Sequence, residues 1–122
     1  MDAFINGHKK ADIYSYNVVV VRRASDANVS DDARYLFLGG KDQETGEFLN
    51  FTIHFYETDY LDMGSFHPGS GVGVALPVKD FADMYHILQT EKVVASFGVD
   101  ENNKVIYFSM ATRDAQIGQN TP

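Results

Sequence analysis

The chain has 122 residues, 17 of them Asp or Glu and 10 Lys or Arg, for a formal net charge of −7 at pH 7. That length holds one hydrophobic core, and an acidic balance repels nucleic acid at long range unless basic residues gather locally. Cysteine is absent, which excludes disulfides, thiolate metal sites and cysteine nucleophiles.

The start, Met1 to His8, has no basic segment followed by an apolar run, so no signal peptide is expected. Nor does any apolar stretch approach the roughly 20 residues of a membrane helix. The expectation is a cytoplasmic domain in a reducing compartment. Nine Phe and seven Tyr without Trp favour pleated, half-buried surfaces, hence sheet.

Residues 1–16 show no lasting period and read as an N-terminal arm that precedes a single domain over 17–111. Val18 to Val21 is the strongest strand signal, four β-branched residues running into Arg22 and Arg23. Arg34 to Leu38 reads as a second strand, stopped by Gly39 and Gly40, with a loop from Lys41 to Gly46. From Phe48 to Glu57 the pattern alternates: Leu49, Phe51, Ile53 and Phe55 belong to the core, while Asn50, Thr52, His54 and Tyr56 form an outer face.

Residues 58–71 read as a long irregular segment, broken by Gly64, Pro68, Gly69 and Gly71. Val72, Val74 and Leu76 then alternate with small residues in a short strand. Pro77 suits a first helical position, and Phe81, Met84, Tyr85 and Leu88 follow at helical spacing, predicting an amphipathic helix over about 77–90. Val93 to Val99, a turn at Asp100 to Asn103, and Lys104 to Ala111 form a C-terminal hairpin. Residues 112–122 read as a disordered tail. The fold class expected is α+β: a curved antiparallel sheet of about six strands with one helix. One helix covers only part of one sheet face, so a homodimer or larger homo-oligomer is expected.

No cofactor is implied. Gly69-Ser70-Gly71-Val72-Gly73 leads into a strand and lacks the Lys-Ser or Lys-Thr of a phosphate loop. No nucleophile elbow surrounds Ser65 or Ser70 near His67, so no catalytic residue is assigned. His54, His67, Asp59 and Asp62 offer donors of the type that bind metal, but no spacing motif unites them. Arg22, Arg23, Arg34 and Lys41 interleave with Tyr35, Phe37, His54 and Tyr56 on expected neighbouring strands. Rings that stack on bases beside cations that hold phosphates are how sheets bind single-stranded nucleic acid.

The run Gly71 to Pro77, followed by Val78 to Met84, resembles the positive-cofactor-four and Whirly group of single-stranded-DNA-binding regulators. The resemblance spans roughly residues 17–90. It implies a dimer packed through the helix, with the sheets and their Arg22, Arg23, Arg34 and Lys41 projecting as nucleic-acid-binding ridges. The chain departs from that group in its acidity, in lacking a lysine-rich stretch, and in its final hairpin. The function expected is therefore a non-enzymatic binding domain with single-stranded nucleic acid as ligand. The alternatives are an acidic protein-interaction module and a small metal-dependent enzyme built on His54, His67, Asp59 and Asp62.

Overall fold

The computed structural model describes residues 8–21, 33–56, 62–90 and 92–112. In chain order the elements are β1 (Lys9–Val21), β2 (Ala33–Asp42), β3 (Phe51–Tyr56), β4 (Gly64–His67) and β5 (Gly71–Pro77). A 3-10 turn (Val78–Asp80) leads into α1 (Phe81–Leu88), and β6 (Val93–Val99) and β7 (Val105–Thr112) complete the fold. The strands form one seven-stranded sheet in the spatial order β4-β5-β3-β2-β1-β6-β7.

This corrects the expected antiparallel sheet of about six strands. β3 and β5 run parallel, because β4 takes the edge position and β5 returns between it and β3. The sheet also curls nearly into a barrel. The Phe66 N–H donates to the Asn103 carbonyl at 2.8 Å, Ser65 bridges to Lys104, and Lys104 pairs with Asp62 at 3.0 Å. These contacts bring the β4 edge to the turn between β6 and β7.

β1 starts at Lys9, within the segment expected to be an arm. Its first five residues pair with β6, from Lys9 opposite Phe97 to Ile13 opposite Val93. Its pairing with β2 runs from Ala11 to Val21 and shifts between Ile13 and Ser15. The extra residue there is Tyr14, a β-bulge that hides the alternation from a reader of the sequence. Ala11 and Ile13 face inward before it; after it the exposed Tyr16, Val18 and Val20 lie on that same side of the sheet, opposite Leu38, Leu36 and Arg34.

Gly39 and Gly40 do not stop β2, which continues to Asp42. They permit close approach: a Cβ on Gly39 would lie 2.5 Å from the Ser15 hydroxyl, and one on Gly40 would lie 2.9 Å from the Leu49 carbonyl oxygen. The helix is shorter than its apolar period suggests. Pro77, with φ −68° and ψ 146°, is still extended and closes β5, and the α-helical residues are Phe81–Leu88.

Inward-facing residues of every strand fill the interior. Leu36, Ile53, Phe51, Phe55, Ala95 and Phe97 are each at most 1% exposed. Phe97 is central: its ring meets Phe51 edge-on at 5.7 Å and Phe66 at 5.5 Å. α1 packs at one end of this interior, with Phe81 against Phe55 at 5.1 Å and Tyr85 against Tyr16 at 6.1 Å. Near the start of β1, Asp42 is 7% exposed and accepts hydrogen bonds from Lys9 Nζ at 3.1 Å and the Glu44 N–H at 2.8 Å.

Burial by itself would raise the Asp42 pKa. The Glu44 N–H, the Thr45 N–H and the Lys9 ammonium outweigh it and hold the carboxyl below its usual 3.8.

Two outcomes follow from this packing. Phe97→Ala should lower unfolding free energy by about 3–5 kcal/mol, read from urea denaturation. Asp42→Asn should cost about 1 kcal/mol near neutral pH. Because the folded-state pKa is depressed, that stability is present above the unfolded pKa and lost as pH falls through the folded one. Native and variant melting curves should therefore converge in acid; a gap independent of pH would contradict the assignment.

Candidate functional site

The outer face of the sheet carries the ring residues singled out in the sequence. On a strand, residues two apart share a face, and residues directly opposite on a neighbour share it too. Tyr35 and Phe37 follow one another along β2, Tyr35 stands opposite His54, and Tyr56 follows His54. The rings form a row. Phe37 stacks on Tyr35 at 5.9 Å, Tyr35 on His54 at 4.3 Å, and His54 meets Tyr56 at 3.7 Å with a 48° tilt. Tyr35 thus has a neighbouring ring on either side and offers little free face to a base.

The basic residues are not gathered beside this row. Arg34 precedes Tyr35 and faces inward, in register with Val20 and Phe55; its guanidinium lies 5.7 Å from the Phe81 ring centroid on α1. Lys41 shares the outer face, but six residues along a strand place it about 20 Å from Tyr35. There it stands opposite Asp12, with its ammonium 5.7 Å from the Phe48 ring. Arg22, Arg23 and Asp59 lie outside the described residues. Burial lowers the His54 pKa from 6.5, so the ring is uncharged at neutral pH.

The His and Asp donors stay apart. His54 belongs to the ring row, His67 pairs with Gly71 at the far end of β5, and Asp62 is engaged by Lys104 and the Gly64 N–H. Among the described residues no group of three or more His, Cys, Asp or Glu is placed to hold a metal ion.

Two features of this surface escape a reading of the sequence. The first is the edge of β1. Beyond Ile13 the strand leaves β6 behind, and among the described residues 14–21 pair with β2 alone. Tyr14 is 58% exposed, Val18 and Val19 are each 38% exposed, and Val20 is 51% exposed.

The second is a groove of about 480 Å³ at the Phe37 end of the ring row. Gly39 forms part of its floor, with Ser15 opposite on β1; Phe37 is flanked by Asn17 and Thr52, its register partners on β1 and β3. Asn50, Ser70 and Tyr14 complete the rim. A smaller hollow of about 220 Å³ shares Asn50, Thr52 and Ser70 and extends across β5 to His67. The signal in the sequence was a glycine two residues after an outward phenylalanine, where β1 side chains close in over the backbone.

No protein-family model matches this chain, and no curated protein or solved structure is similar enough to be matched. Among the described residues, no helix is long and apolar enough to cross a membrane.

The lowered His54 pKa has a measurable sign. The unfolded chain takes up this proton first, so stability should decline as pH drops below about 6.5. In His54→Phe the decline should be shallower, as judged by urea midpoints measured at several pH values. Equal slopes in the two proteins would count against the burial of this ring as the cause.

Proposed function

We propose that this chain is a non-catalytic assembly domain that joins a second copy of itself through residues 14–21 of β1. One observation carries the reading: that segment is strand, it is apolar, and among the described residues its side away from β2 has no strand partner. An unpaired edge offers a row of backbone donors and acceptors that another strand can satisfy. Natural edges are commonly guarded by Lys, Pro or inward charges. Residues 14–21, Tyr-Ser-Tyr-Asn-Val-Val-Val-Val, contain none of these.

Long-range charge opposes a copy of the chain as the occupant, but the contact itself does not. Two molecules of net charge −7 repel, and this eight-residue segment brings no charge of its own into the contact. A twofold axis perpendicular to the sheet and centred on Val18 pairs the segment with itself, antiparallel. Tyr16 then stands against Val20 and Asn17 against Val19, so inward residues meet inward and outward meet outward. Aromatic and β-branched neighbours of this kind are favourable cross-strand pairs.

This reading differs from the acidic protein-interaction module expected as an alternative, which would use the outer aromatic face against another protein. The nucleic-acid reading draws less support from the geometry, since the outer rings are stacked on one another and Arg34 faces the helix.

Sedimentation equilibrium is the direct test. The native chain should sediment as a dimer at micromolar concentration, whereas Val19→Lys and Val20→Lys should each shift it to monomer by placing like charges across the axis. Thermal melts of the variants at high dilution should confirm that both remain folded. A native chain that is monomeric at concentrations on the order of 100 µM would overturn the reading.

A further inference from the structure

The groove beside Phe37 lies within one chain and does not depend on self-association. Its chemistry is unusual for this protein: no Asp, Glu, Lys, Arg or His lines it, although the chain as a whole is 22% charged. What lines it instead is a set of amides and hydroxyls, those of Asn17, Asn50, Thr52, Ser15 and Ser70. All five of these residues are exposed.

At one end of this neutral surface stands an aromatic wall. Phe37 stacks on Tyr35 through the face turned back along β2. Its other face is turned along the strand toward Gly39, over whose backbone the Ser15 hydroxyl and the Tyr14 ring close in. Phe37 is 38% exposed.

We propose that this groove binds a neutral carbohydrate chain, with one pyranose ring seated against the exposed part of the Phe37 ring and its hydroxyls bonded to the Asn17 and Asn50 amides and to Thr52. A hexose with equatorial hydroxyls carries axial C–H groups on both faces, and these are drawn to the electron-rich face of an aromatic ring. Its hydroxyls both donate and accept, as primary amides and hydroxyls do. Anionic ligands find no cation in the groove, and cationic ligands find no carboxylate. The adjoining hollow toward His67 continues the same surface across β5. Crossing four strands about 4.8 Å apart spans roughly 15 Å, which suits a short oligosaccharide in preference to a single sugar.

The test is a titration of the isotope-labelled native chain followed by amide chemical shifts, with cellohexaose and chitohexaose as neutral probes and a ten-residue oligothymidylate as the comparison. One or both saccharides should bind at millimolar or tighter affinity and shift the amides of 15–17, 37–39 and 50–52. Phe37→Ala should weaken binding about tenfold, and Asn50→Ala should weaken it by a smaller factor. Both substitutions are on the outer face, and unchanged thermal melts would separate lost binding from lost folding. Failure of both saccharides to bind, or binding untouched by Phe37→Ala, would overturn the proposal. Low-salt binding of the oligothymidylate alone at the same amides would also overturn it, in favour of base stacking on Phe37.

Discussion

Between Ile13 and Ser15 the ladder joining β1 to β2 takes in one additional residue, and much of the architecture depends on it. Residue parity decides which face a strand side chain occupies, so one extra residue inverts the assignment for all that follow. Without Tyr14 as a bulge, Ser15, Asn17 and Val19 would point into the interior and Tyr16, Val18 and Val20 out of it. With the bulge, Tyr16 reaches Tyr85 on α1, Val18 lies opposite Leu36, and the polar Ser15 and Asn17 are delivered to the outer surface. One irregularity thus serves the apolar lining and supplies polar groups to the groove.

The bulge also divides β1 into two regimes. Up to Ile13 the strand lies between β2 and β6 and is part of the barrel wall. Past it, the strand projects with one edge paired. The barrel supplies rigidity and the projection supplies a surface, while the interior is already filled by Phe51, Phe55 and Phe97. On the outer face a similar division holds. Tyr35 and His54 spend their ring faces largely on their neighbours, and the row ends at Phe37 beside the groove.

Much of this was legible in the sequence wherever a short-range period persists. The alternation of β3 placed Phe51, Ile53 and Phe55 inside and Thr52, His54 and Tyr56 outside, and the final hairpin turns at Asp100 to Asn103. The helix was located but overextended, because Pro77 is compatible with both a strand end and a helix start. β1 was hidden by its bulge, and Gly39 and Gly40 looked like a stop because close backbone approach leaves no mark that distinguishes it from a turn. The parallel placement of β5 beside β3 depends on contacts between distant segments. Of the site, the ring row followed from parity on β2 and β3. The same parity separates Arg34 from its neighbour Tyr35, an implication that grouping residues by sequence proximity overlooked.

The pairing of Lys9–Ile13 with Val93–Phe97 has a consequence for how the molecule is made. During synthesis β1 emerges well before β6, so the barrel wall stays incomplete until β6 has been translated. Contacts between such remote segments slow folding, since a long loop must close before they form. Through that interval the valine-rich strand has β2 as its only early partner. The nascent protein is therefore vulnerable to aggregation at the same strand proposed here for assembly, and its safe production depends on how promptly β2 and β3 dock against β1.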